Sequence, residues 1–241
     1  MEEHETMLDA VLFDLDGTLL PMDQDAFLAR YFKEIALKFA DRFPPDALTK
    51  ALWEGSLAMI QNDGTIGNAE RFWQVFSNRM GPKVLSMTKE FDAFYDNEFA
   101  RARVHTWPQP LAANAVNAAR ACARQVILAT NPVFPQNAVH QRLAWAGLSP
   151  QSFDWITSYE TASFCKPNPA YYREILSKTG ADASKSLMIG NDVGEDALPA
   201  KQTGMQVFIV TDCLLGAAQG LETVPNGNFE QMLRMLETAK A

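Results

Sequence analysis

Asp14 and Asp16 stand two residues apart at the end of an apolar run, Val11-Leu12-Phe13, and Gly17-Thr18 follow at once. Strict strand alternation sends two such carboxylates to the same side, but Gly17 marks a break into a turn. The expected geometry is therefore Asp14 at the carboxyl end of a buried strand with Asp16 just beyond it. In open parallel sheets that edge is where ligands bind. Two carboxylates there are costly to bury unless a cation, a proton or water meets them. The pair reads as a cation site with a nucleophile beside it.

The elements that must position this pair fall into two kinds. After Pro21 and Asp23 the spacing is helical. Apolar residues mark a helix from Asp25 to Ala40, and Pro44-Pro45 separates it from a second, Asp46 to Gln61. The turn-rich loop Asn62 to Gly67 leads to a third, Asn68 to Met80, which Gly81-Pro82 stops; a fourth runs from Leu85 to Val104. Four antiparallel helices with short connections form a bundle, so residues 21–105 read as an inserted helical cap domain. From Trp107 onward strands and helices alternate, the sign of a parallel sheet. Strands are expected at 125–129, 153–157, 186–189 and 205–210, with helices at 110–124, 135–146, 169–179, 195–203 and 229–238. The fold expected is α/β, a Rossmann-like parallel-sheet core of residues 1–20 and 106–241 interrupted by the cap. Its strands deliver Thr130 and Asp192 to the edge that carries Asp14 and Asp16, and Lys166 comes from a loop after another strand.

Bulk properties narrow the classes. The 241 residues, 47% hydrophobic and 21% charged, suit an ordinary globular chain. A net charge of -8 argues against a general binder of nucleic-acid backbone. No apolar run reaches the roughly 18 residues of a membrane span. The first residues, Met1 to Glu5, are acidic where a secretory signal is basic. Cys122, Cys165 and Cys213 are odd in number and widely spaced, without zinc-type pairing. They read as buried structural residues in a reducing cytoplasm.

Four stretches in order carry a resemblance: Asp14-Leu15-Asp16-Gly17-Thr18, Leu128-Ala129-Thr130-Asn131, Lys166-Pro167, and Gly190-Asn191-Asp192-Val193-Gly194-Glu195-Asp196. The chain resembles the haloacid dehalogenase-like (HAD) hydrolase superfamily, and the helical insertion resembles that family's cap of the first type. The resemblance implies Asp14 as a nucleophile forming an acyl phosphate, and Asp16 as general acid and then general base. Members that break carbon–halogen bonds lack a carboxylate at the second position, so Asp16 favours phosphoryl transfer. Two anions about 4 Å apart repel by around 4 kcal/mol at an effective dielectric of 20. Hard oxygen ligands select magnesium to offset this. By resemblance its ligands are the Asp14 and Asp192 side chains and the Asp16 backbone carbonyl.

Lys166 supplies positive charge beside Asp14 and the phosphate. Thr130 and the backbone N–H of Asn131 donate to phosphoryl oxygens. Asp196 is expected to support the site from behind, and Glu195 to be solvated or structural. In the cap, the loop Asn62 to Gly67, with Arg71 and Trp73 after it, is the stretch that could face the core. Arg71 reads as a solvated helix residue or as a holder of a second anionic group; the aromatics read as the cap's own core. The function expected is a cytoplasmic magnesium-dependent phosphatase acting on a small phosphorylated metabolite. A phosphomutase of the same superfamily and a non-catalytic regulatory protein on the same fold are the alternatives.

Overall fold

Apolar residues occupy both faces of the first strand, and that decides the layering. The computed structural model describes residues 7–216 and 220–239; the acidic N-terminal stretch lies outside them. In β1 (Leu8–Phe13), Val11 and Phe13 belong to one buried cluster and Ala10 and Leu12 to another, the period of two that a strand buried on both faces requires. β1 pairs in parallel with β2 (Ala123–Leu128) on one side and β4 (Ser186–Gly190) on the other. With β3 (Trp155–Ile156), β5 (Gln206–Val210) and β6 (Asn226–Gly227) the sheet has six parallel strands in the order β3-β2-β1-β4-β5-β6. This is the α/β fold expected. The order reverses direction about β1, which makes its carboxyl end a topological switch point.

Register sets those ends flush. Phe13 lies opposite Leu128 and Ile189, the Asp14 N–H donates to the Ile189 carbonyl at 2.9 Å, and the Ala129 N–H donates to the Phe13 carbonyl at 2.7 Å. The residues that follow β1, β2 and β4 therefore emerge side by side. One face of the sheet is covered by α5 (Ala112–Cys122), α6 (Gln136–Trp145) and α9 (Phe229–Thr238), the other by α7 (Pro169–Thr179) and the short α8 (Leu198–Gln202).

Between β1 and β2 lies the helical insertion: α1 (Gln24–Lys38), α2 (Pro45–Ile60), α3 (Asn68–Met80) and α4 (Thr88–Asp96). The Asp23 side chain caps α1 by accepting from the Ala26 N–H at 3.0 Å. Gly81, at φ 89°, ends α3. The single helix expected from Leu85 to Val104 is instead three pieces: 3-10 turns at Pro82–Met87 and Glu98–His105 flank α4. The break after Asp96 has a local cause. The Asn97 side chain donates to the Ala93 carbonyl at 2.7 Å, and such side chains compete with the helix for its own acceptors.

Several of the aromatics expected as a core form one, Phe39 stacking on Phe91 at 4.3 Å and Trp73 meeting Phe91 and Phe76 edge-on, whereas Trp53 stays half exposed. At the root of the insertion its two ends pair. Met22 bridges Thr106 antiparallel, the Asp23 N–H donates to His105, and the Trp107 N–H donates to Pro21. No helix among the described residues is long and apolar enough to cross a membrane.

Candidate active site

Six residues singled out from the sequence for the core chemistry line one cavity. Asp14, Asp16, Thr130, Asn131, Lys166 and Asp192 line a cavity of about 270 Å³ at the carboxyl edge of the sheet, roofed by side chains of α1 and α2. Asp14 is 6% exposed and Lys166 1%. The Lys166 ammonium donates to Asp14 Oδ1 at 2.7 Å and to Asp196 Oδ1 at 2.6 Å. Thr18 Oγ1 lies 3.3 Å from both Asp14 Oδ2 and Asn191 Oδ1.

The backbone is tailored to this crowding. Gly17 turns the chain at φ 86°, and a Cβ there would lie 2.1 Å from Asn191 Nδ2. Gly190 gives way to Asp196, whose Oδ2 would lie 2.1 Å from a Cβ at that position. That oxygen accepts from the Asn191 and Asp192 N–H groups, both at 3.0 Å. Asp196 thus braces both Lys166 and the loop that presents Asp192. Asp192 caps the turn Val193–Ala197, its Oδ1 accepting from the Gly194 and Glu195 N–H groups at 2.7 and 3.0 Å. The Thr130 carbonyl is held by Thr157 Oγ1 at 2.7 Å and the Tyr171 hydroxyl at 2.9 Å, which fixes the strand end that carries its side chain.

Charge in the cavity is unbalanced. Five carboxylates, those of Asp14, Asp16, Asp192, Glu195 and Asp196, face a single lysine among the described lining residues. Burial pushes the Asp14 carboxyl up to about 7; Lys166 opposes the rise, and Asp196 and Asp16 add to it. Burial also works against the charge of Lys166, but Asp14 and Asp196 outweigh it and hold the ammonium well above its usual range. The donors are all oxygen, the chemistry of a hard divalent cation. Among the described residues no three His, Cys, Asp or Glu side chains form a cage. The donor set the resemblance names does not require one, since it has two carboxylates and one main-chain carbonyl.

Two features depart from expectation. Glu195, expected to be solvated or structural, lines the cavity and accepts from Asn131 Nδ2 at 3.2 Å, while Asn131 Oδ1 is buried without a partner. Burial raises the Glu195 carboxyl above its ordinary value. The second is Arg142 on α6, absent from any motif and 0% exposed. Its Nη1 pairs with Asp16 Oδ2, its guanidinium carbon lies 4.6 Å from the centroid of the Phe134 ring, and its Nη2 has no partner. Asp16 Oδ1 is likewise buried and unpartnered. Burial raises the Asp16 carboxyl, and Arg142 and then Lys166 pull it back. A signal existed: in α6 the buried stripe is Ala138, Val139, Arg142 and Leu143, a cation at the helical spacing of the core positions.

The cap loop does not reach the cavity. Asn62 Nδ2 donates to Asn68 Oδ1 at 2.9 Å, and Asn68 Nδ2 in turn contacts the Phe164 carbonyl and Cys165 Sγ at 3.3 and 3.2 Å. The loop is thus a strut between the insertion and the core. Arg71 pairs with Asp63 at 3.3 Å and Asn62 at 3.1 Å rather than with the site. Cys165 is buried, its thiol pushed far up by burial, and so is no nucleophile.

The model of the haloacid dehalogenase-like hydrolases matches residues 8–204. A glyceraldehyde 3-phosphate phosphatase of Methanothermobacter thermautotrophicus is 29% identical over 90 residues, which span 35% of this chain and only 40% of that enzyme. Among solved structures, a Thermotoga maritima protein assigned as a beta-phosphoglucomutase superposes with a TM-score of 0.58 at 19% identity, covering 96% of this chain and 99% of its own. The HAD-family protein YfnB of Bacillus subtilis, solved with magnesium bound, superposes at 0.53, also with 19% identity and the same coverage. At such identities these two speak for the fold alone. The family model covers most of the sheet and every cavity-lining residue but Leu215, and on that ground the chain belongs to the haloacid dehalogenase-like hydrolase family.

Proposed function

We propose that this chain is a magnesium-dependent phosphatase that hydrolyses a small phosphorylated metabolite through an aspartyl-phosphate on Asp14. One observation carries the reading: two carboxylates, Asp14 and Asp16, face one cavity beside a buried lysine. Dehalogenation has no use for the second carboxylate, whereas phosphoryl transfer needs a proton donor at the leaving oxygen. The phosphatase named among the relatives lends support over its matched segment.

In the first step an Asp14 oxygen attacks phosphorus, the bond to the leaving oxygen breaks, and Asp16 gives that oxygen its proton. In the second, Asp16 takes a proton from water as the water attacks the acyl phosphate, releasing inorganic phosphate and Asp14. Lys166 holds Asp14 in place and offsets the charge of the incoming phosphoryl group. Thr130 and Asn131 border the cavity where its oxygens would lie. The Asp14 and Asp192 side chains and the Asp16 carbonyl would hold magnesium, which would supply the positive charge that offsets the two anions. The all-oxygen donor set and the carboxylate excess support that ligand set. Residues 21–105 act as the cap, with the paired segments at 21–23 and 105–107 as its root, and the setting is a reducing cytoplasm.

The test is release of inorganic phosphate from an aryl phosphate with magnesium and no bisphosphate activator. Asp14→Asn abolishes it while the thermal transition persists. Turnover by Asp14→Asn, or turnover after thorough removal of divalent metal, overturns the assignment.

A further inference from the structure

The roof of the cavity carries no charge. From the insertion it receives Leu28, Tyr31, Phe32, Trp53 and Ile60, with Gln24 and Ser56 as the polar members. No lysine or arginine of the insertion lines it. Six of them pair elsewhere: Arg30 and Arg101 with Glu34, Lys38 with Glu98, Arg42 with Glu90, Arg71 with Asp63 and Arg79 with Glu54. A second anionic group on a substrate would meet Glu195 and find no counter-charge, and an unpaired charge moved out of water is strongly disfavoured.

At the mouth two aromatic side chains are left available. Trp53 is 49% exposed, unusual for a large aromatic, and meets Phe32 edge-on at 6.5 Å. Both line the cavity. Gln24 Oε1 is buried with no partner and suits one neutral donor. The volume of about 270 Å³ lies just below the range of small-molecule sites, about 300–1,000 Å³, so the leaving group is small.

We propose that the substrate is a phosphate monoester with a single anionic group, whose leaving alcohol is uncharged and presents a flat apolar face to Phe32 and Trp53. This rests on the phosphatase reading and adds the chemistry of the leaving group to it. Phosphorylated acids and bisphosphates are excluded by the same roof.

The experiment is steady-state hydrolysis, with magnesium, of benzyl phosphate, ethyl phosphate, glyceraldehyde 3-phosphate and 2-phosphoglycolate. All four leave as primary alcohols, so differences report on the roof more than on leaving-group chemistry. The expected kcat/KM for benzyl phosphate exceeds that for ethyl phosphate by about tenfold and that for 2-phosphoglycolate by about a hundredfold. Trp53→Ala brings the benzyl-to-ethyl ratio toward one, and Trp53→Phe keeps most of it; the half-exposed position lets both variants fold. Faster turnover of 2-phosphoglycolate or glyceraldehyde 3-phosphate than of benzyl phosphate overturns the inference while leaving the phosphatase standing. A ratio indifferent to Trp53→Ala overturns it as well. Phosphate release from an aryl phosphate but from none of the four overturns this inference alone, and release from neither overturns the phosphatase reading with it.

Discussion

Replacing Arg142 with methionine fills the same space with apolar atoms and deletes the partner of Asp16. Removing one member of a buried ion pair costs about 3–5 kcal/mol, because the other charge stays behind without compensation. The Asp16 side chain keeps 21% exposure, so cavity water relieves part of that penalty and the low end applies. Loss of the guanidinium over Phe134 adds about 0.5–1 kcal/mol. The total, about 3–4 kcal/mol, lowers the thermal midpoint by roughly 6–16 °C for a chain of this size.

Thermal unfolding followed by circular dichroism at neutral pH measures it. The double variant Arg142→Met with Asp16→Asn is the control, since it removes the stranded charge and recovers most of the loss. In catalysis Arg142 touches Asp16 and is not among the residues lining the cavity, so the single variant lowers kcat more than it changes KM. A midpoint within about 2 °C of wild type, or a double variant whose loss is the sum of the singles, refutes the account of Arg142 as the counter-ion that keeps Asp16 in place.

Three further outcomes follow from the same wall. Lys166→Met leaves Asp14 and Asp196 facing each other uncompensated and lowers kcat/KM for an aryl phosphate by about 10²–10³; retention within tenfold contradicts the role given to the lysine. Folded Asp14 titrates near 7, above its unfolded value, so between about pH 4 and 7 the native state holds a proton that the unfolded chain has released, and stability falls as pH rises through that window. Urea unfolding of metal-stripped protein shows this decline more steeply than Asp14→Asn does, and parallel curves count against it. Gly17→Ala, at positive φ and in collision with Asn191, destabilises by more than about 1 kcal/mol and lowers activity with it; a denaturation midpoint unchanged from wild type argues against the turn geometry.

The sheet and its reactive edge were legible because strand cores and motif loops are local. Val11 to Phe13 announces a strand buried on both faces, and each motif lies within a few residues of a strand end. Arg142 was not legible as a functional group, since its partner Asp16 is 126 residues away and only the folded chain brings them together. The break at Asn97 is masked in the sequence because the aromatic spacing continues across it: Phe94 and Phe99 are both buried although one is in α4 and the other is past its end. β6 has two residues, too few for any alternation to register. The hydrogen bond between Asn131 and Glu195 has no local signal, since Glu195 lies among turn residues and Asn131 comes from the end of another strand.

The ribbon at the root of the insertion has a consequence for engineering. Because Met22 and Thr106 lie directly across from one another, the excursion of more than eighty residues begins and ends about one strand spacing apart, near 5 Å. A gap of that width is closed by a turn of about two to five residues. The two ends of the insertion could therefore be joined without stretching β1 or β2, but its helices share one hydrophobic cluster with the sheet, Phe27 meeting Phe134 and Trp145 edge-on, so any module exchanged at Met22 and Thr106 has to cover those two rings again.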